Sequence, residues 1–211
     1  MTARRIGDDA AGRAAAVAVL RDGGIVALPT DTVYGIAVAL DAPQGITRLF
    51  AAKGRPPDRA VALLCADVDQ AASVGVLGDA GRALAAACWP GGLTIVVPAR
   101  ADAMLPAELS GGAPTVGVRV PDHPAPHALA MAVGPLPTTS ANRSGEAEAG
   151  DPDEIAMVLG AAVDLILDGG PARGGPASTV IDLTGAEPRI LRVGAVPPFA
   201  IAEILAAQKK R

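Results

Sequence analysis

GGIVALPTDTVYGIAVAL, residues 23–40, is an apolar segment broken once, at Pro29-Thr30-Asp31-Thr32, before it resumes as Val33-Tyr34-Gly35-Ile36-Ala37-Val38. Gly23-Gly24 closes the stretch before it, and residues 25–28 have the length and β-branched content of a buried strand. Pro29 cannot donate to a sheet ladder, so the strand stops there and the polar residues emerge at its end. In α/β sheets, ligands bind at strand ends. The same residues also fit a plain turn in which Thr30 and Asp31 hydrogen-bond their own backbone. The stretch alone leaves both readings open.

Working outward, residues 10–21 (AAGRAAAVAVLR) are Ala-rich and helix-prone. Downstream, Ile46, Leu49, Phe50 and Ala51 recur at helical spacing, and that helix delivers KGRPPDR, residues 53–59, with three cations in seven residues. Residues 60–65 (AVALLC) form a continuous apolar run, read as an interior strand. A helix is predicted over 79–88, and WPGG at 89–92 turns the chain into a strand over 93–97. After a Pro- and Gly-rich loop, TVGVRV at 115–120 alternates, with Thr115, Gly117 and Arg119 on one face and three valines on the other. A turn at 121–126 and a short helix at 127–133 precede TTSAN, residues 138–142, a second hydroxyl and amide cluster after an apolar approach. Asp151 is expected to cap a helix starting at Pro152, with Glu154 closing a capping box. A strand over 164–168, a hairpin of 178–183 with 189–193 around Thr184-Gly185, and a helix over 197–208 complete the chain. With no linker or internal repeat, the pattern predicts a single α/β domain whose mixed sheet is flanked by helices.

Composition narrows the function classes. Half of the 211 residues are hydrophobic but only 2% are aromatic, so the core must be built from Ala, Val, Leu and Ile. A net charge of −4 argues against a surface that is wholly a nucleic-acid footprint, while leaving room for a local basic cleft. Cys65 and Cys88 lie in or beside apolar runs with no C-x-x-C spacing and read as reduced core thiols. The N-terminus is too polar for a signal peptide and no apolar stretch approaches the roughly 18 residues of a membrane span. A cytoplasmic protein without a membrane partner is expected.

Five polar clusters fall at the ends or on one face of predicted strands: residues 30–32, 53–59, Thr115 with Arg119, 138–142, and Ser178 with Arg192. Hydroxyls and amides among guanidinium and ammonium groups suit a phosphate-bearing ligand, because Arg offers bidentate donors and Lys a point charge. Neither G-x-x-x-x-G-K-[ST] nor a G-x-G-x-x-G after a strand occurs, so the common phosphate-cradling loops are absent. His123 and His127 are the only histidines, set in HPAPH, where Pro124 and Pro126 are expected to break any helix aligning them on a metal. Taken singly, each cluster also fits a solvated loop, a turn or a rim.

Seven motifs in order carry a resemblance. PTDTVYG at 29–35, KGRP at 53–56, WPGGLT at 89–94, TVGVRVPDHP at 115–124, TSANRSG at 139–145, STVIDLTG at 178–185 and ILRVG at 190–194 resemble the YrdC-like family of L-threonylcarbamoyladenylate synthases. The likeness runs from about residue 20 to 195. It implies a twisted open sheet around a large basic cavity, in a form lacking the extra C-terminal domain of longer members. It also implies an ATP-dependent nucleotidyltransferase that condenses L-threonine, bicarbonate and ATP into threonylcarbamoyl-AMP and pyrophosphate. A transferase complex then carries the threonylcarbamoyl group to tRNA.

By motif position, Lys53, Arg55, Ser140 and Asn142 are implied as a phosphate clamp, with Lys53 and Arg55 catalytic. Arg59, Thr115 and Arg192 join the ATP side. Thr32, Arg119, Thr138 and Ser178 match threonine positions, with Arg119 facing the carboxylate. Mg²⁺ is expected to travel with ATP rather than on protein side chains. The chain departs from the pattern at Leu64, where many members have histidine, and at Glu148, where the family has serine. Two alternatives remain: an RNA-binding module of the same fold without catalysis, and a carbamoyl-adenylate enzyme for another acceptor.

Overall fold

The computed structural model describes residues 3–54 and 60–209. The interrupted apolar run becomes two short strands, β2 (Val26–Leu28) and β3 (Gly35–Ala37), paired antiparallel across the PTDT turn. They sit inside one ten-stranded mixed sheet. Its other members are β1 (Arg4–Gly7), β4 (Ala62–Leu64), β5 (Leu93–Pro98), β6 (Thr115–Arg119), β7 (Leu136–Ser140), β8 (Leu165–Asp168), β9 (Thr179–Asp182) and β10 (Arg189–Arg192). The spatial order is β1-β8-β2-β3-β7-β4-β6-β5-β9-β10. The β2–β8 and β4–β6 pairs are parallel, whereas β7 runs antiparallel to both β3 and β4.

Alternation along β2 divides the core into two layers. Ile25 and Ala27 join Tyr34, Ile36, Leu63, Leu93, Ile95 and Val118 on one face, while Val26 and Leu28 join Leu129, Leu136, Leu165 and Leu167 on the other. Helices α1 (Ala10–Arg21) and α5 (Pro124–Val133) pack together over the second face. The first face meets α2 (Gly45–Lys53), α3 (Val68–Val74), α4 (Gly78–Cys88), α6 (Pro152–Leu159) and α7 (Pro198–Gln208). Leu, Ile and Val dominate the first layer and Leu and Ala the second, as the scarcity of aromatics requires; among the described residues Tyr34 is the largest side chain to be fully buried.

The mixed α/β sheet agrees with the sequence-based expectation, one local reading is corrected, and two elements are added. Helix α5 starts at Pro124 rather than at residue 127, because a proline costs nothing in the first turn, where its missing N–H would have no partner. His123 caps it, its Nδ1 accepting from Ala125 N at 3.2 Å. The prolines therefore start this helix instead of breaking it. Helix α3 and strand β1 lie outside the expected elements. The first is seven residues long and opens on Asp67, whose carboxylate accepts from Gln70 N at 2.7 Å. The second is an exposed RRIG edge whose place depends on parallel pairing with β8, a partner far along the chain. At α6, Asp151 caps as expected, accepting from the N–H of Asp153 and of Glu154, while Glu154 reaches back to Gly150 N, one residue before the cap.

Candidate active site

The PTDT turn resolves the choice left open by its sequence in both directions. Thr30 forms the local turn: its Oγ1 accepts from Thr32 N at 3.1 Å and donates to Val33 O at 2.7 Å. Asp31 does not. Its carboxylate pairs with Arg119 across the sheet, Nη2 to Oδ1 at 2.7 Å, and both side chains are less than a tenth exposed. Arg119 also donates from Nη1 to Thr32 Oγ1 at 3.1 Å and from Nε to Gly91 O at 2.9 Å. Three of its five N–H donors are so engaged. Burial pulls the guanidinium below its ordinary value and the Asp31 carboxylate opposes that pull, so the buried cation is compensated by its partner.

Arg119 lines a cavity of about 240 Å³. The β2–β3 turn contributes Thr30 and Thr32, β5 Thr94, β6 Thr115, Gly117 and Arg119, and β7 Thr138 and Ser140; Ser178 precedes β9, and Arg192 ends β10. The sheet explains the convergence. Residues of alternate sequence parity on β6 put Thr115 and Arg119 on the cavity side and bury Val116 and Val118 behind. The β10 strand carries a bulge, with Ile190 opposite Ile181 but Arg192, not Leu191, opposite Val180. Arg192 then donates from Nε to Ser178 O and from Nη2 to Ser178 Oγ, both at 3.0 Å. Ser178 Oγ also meets Thr94 Oγ1 at 2.8 Å. Thr138 Oγ1 donates to Leu136 O at 2.9 Å.

Lys53 stands behind Ser140 rather than on the cavity wall. It is 4% exposed, and its ammonium donates to Ser140 O at 2.6 Å, to Asn142 Oδ1 at 2.7 Å and, more distantly, to Ser140 Oγ at 3.3 Å. Ser140 Oγ donates to Asn142 Oδ1 at 2.7 Å. The last residue of α2 and the end of β7 thus form one hydrogen-bonded unit, whose described cavity-facing member is Ser140. Arg55 and Arg59 lie outside the described residues. Among those described, the cavity's charged side chains are Arg119, Arg192 and Glu148.

Three contributors escape a reading of the sequence. Asp31 stands within PTDT and reads there only as a turn former, and Thr94 within WPGGLT has no part assigned to it. The position of Thr94 between inward-facing Leu93 and Ile95 is the available signal. Tyr34 is the third: it lies along the wall, its hydroxyl donating to Gly170 O at 2.6 Å and accepting from Gly169 N at 3.1 Å, which ties the 169–176 loop to the site. Burial raises its phenol above the ordinary value, so it stays a donor at neutral pH. A second cavity, of about 380 Å³, lies between α3, α4 and Trp89, lined mainly by apolar atoms. It contains none of the clustered polar residues.

Comparison with known proteins adds the following. The sequence profile of the Sua5/YciO/YrdC family, described as "Telomere recombination", matches residues 18–194. A putative threonylcarbamoyl-AMP synthase of Mycobacterium leprae is 41% identical over 197 residues, covering 93% of this chain and 89% of its own length. The threonylcarbamoyl-AMP synthase of Bacillus subtilis is 34% identical over 91% of this chain, which spans 56% of that protein. The crystal structure of Pyrococcus abyssi Sua5 complexed with L-threonine superposes with a TM-score of 0.88 at 33% identity, covering 96% of this chain and 60% of that one.

Proposed function

Given that the chain belongs to the Sua5/YciO/YrdC family, we propose that its cavity makes L-threonylcarbamoyl-AMP from L-threonine, bicarbonate and ATP, with release of pyrophosphate. The observation that carries this reading is the convergence of Thr32, Thr94, Arg119, Ser140, Ser178 and Arg192 on one cavity, within a chain related to threonylcarbamoyl-AMP synthases. The product serves the threonylcarbamoyl modification of tRNA through a transferase complex. We place the reaction in the cytoplasm, where ATP and tRNA are found; among the described residues no helix is long and apolar enough to cross a membrane.

The residues divide by chemistry. Arg119 has two N–H donors beyond its bonds to Asp31, Thr32 and Gly91, enough for the carboxylate of the amino acid. Thr32, Thr138 and Ser178 surround that position with hydroxyls. On the ATP side, Ser140 presents its hydroxyl, Thr115 lines the wall and Arg192 offers a guanidinium, while Lys53 and Asn142 hold Ser140 from behind. Arg55 and Arg59 are assigned to ATP by motif position alone.

No described cavity residue is a covalent nucleophile paired with a base, and the chemistry needs none. The threonine amine attacks the bicarbonate carbon and water leaves; the resulting carbamate oxygen attacks the α-phosphorus, and pyrophosphate departs. The protein contributes by juxtaposition and by balancing the charge that builds on the phosphates. Mg²⁺ bound with ATP would supply positive charge against that developing on the phosphates. Among the described residues no group of three or more His, Cys, Asp or Glu is placed to hold a metal by itself.

The test is product formation by site variants. Arg119→Ala should raise the KM for threonine by tenfold or more while ATP binding persists, as expected from loss of about 1.4 kcal/mol or more of carboxylate binding. Lys53→Ala should depress kcat. Near-normal pyrophosphate release by Lys53→Ala would remove the clamp assignment.

A further inference from the structure

The loop between β7 and α6 is fastened to the site at three points. Ser144 N donates to Lys53 O at 3.0 Å, Asn142 Nδ2 to Glu146 O at 2.7 Å, and Ala149 N to Ala141 O at 3.1 Å. Ala141, Asn142 and Ala149 are buried, so the exposed Glu148 is held on the lining of the same cavity as Ser140, Thr115 and Arg192. It is the one carboxylate among the described residues lining the cavity.

A carboxylate on the wall of a polyphosphate site repels the ligand unless a cation stands between them. A single carboxylate at a phosphate site suits a small hard cation: Mg²⁺ keeps several waters and accepts one or two carboxylate oxygens, taking its other ligands from substrate phosphates. Resting on the ATP assignment above, we propose that Glu148 contributes a carboxylate oxygen to a divalent-cation site that the phosphates of ATP complete, so the cavity selects the metal–nucleotide complex over free ATP. This revises the expectation that the metal is carried by ATP without a protein side chain. The hydroxyl that the family pattern has at this position would hydrogen-bond a phosphate directly; a carboxylate cannot, and reaches it only through the cation.

The experiment is calorimetric titration of ATP into the full chain and into Glu148→Gln, each with excess Mg²⁺ and with EDTA. Glu148 is exposed, so the substitution leaves the core untouched. The wild-type chain should lose affinity on chelation, and Glu148→Gln should lose roughly five- to tenfold less, the scale of one unit charge acting across a few ångströms of wet cleft. Mn²⁺ in the ternary complex with ATP should give a different electron paramagnetic resonance line shape in the two proteins. Equal metal dependence and identical Mn²⁺ spectra, with ATP bound in both, would overturn the role of Glu148 alone. Failure of both proteins to bind ATP under either condition would overturn the nucleotide assignment, and the cation site with it.

Discussion

The Asp31–Arg119 pair is the most consequential contact at the scale of single residues, because it places a compensated cation inside the sheet face. Asp31→Ala leaves Arg119 buried with its charge unpaired, and unfolding free energy should fall by roughly 3–5 kcal/mol. Urea denaturation measures this, and a loss under about 1 kcal/mol would mean the pair is not held as described. Thr179, fully buried next to Ser178, plays a purely structural part, since its Oγ1 donates to Val196 O at 2.6 Å and accepts from Gly194 N at 2.8 Å and Val196 N at 3.1 Å. Thr179→Val should cost roughly 2–3 kcal/mol through the orphaned N–H groups, read in the same titration.

Cys65 gives a pH signature. Burial pushes its thiol from 9.0 up to about 12. The unfolded chain would release this proton first, so the preference for the folded state is fully present below pH 9 and is lost as pH rises toward 12. Cys65→Ala should flatten the alkaline limb of the stability profile, and unchanged alkaline loss in that variant would contradict the assignment.

At the scale of elements, what is readable from the sequence is what has its own period or punctuation. The Ala-rich α1, the apolar β2 with its stop at Pro29, the alternating β6 and the β9–β10 hairpin each announce themselves locally. What is not readable depends on partners far along the chain. Strand β1 exists because β8 offers a free edge, and Asp31 leaves its turn because Arg119 lies opposite it across the sheet. The β10 bulge, which sets Arg192 against Val180, has no signature in RILR. The polar clusters can be named from their motifs, but that Lys53 sits behind Ser140 is visible only once α2 and β7 are packed. Gly194, at the end of the ILRVG motif, shows how closely the return from β10 passes: a Cβ there would lie 2.1 Å from Ala177 O. Gly194→Ala should therefore move the segment that anchors Arg192 and destabilise the fold by roughly 1–3 kcal/mol, with a weakened ATP affinity as the companion readout.

Across the whole molecule, one sheet collects side chains from distant segments into a small cavity while two aliphatic layers hold its faces. In the proposed function that cavity serves an amino acid and a nucleotide together. Its most direct test is pyrophosphate release from ATP by the purified chain with Mg²⁺, supplied with threonine and bicarbonate, with each omitted in turn, and with other amino acids in place of threonine. Release should require both threonine and bicarbonate and yield threonylcarbamoyl-AMP by mass spectrometry. Release independent of threonine, or none despite bound ATP and threonine, would contradict it.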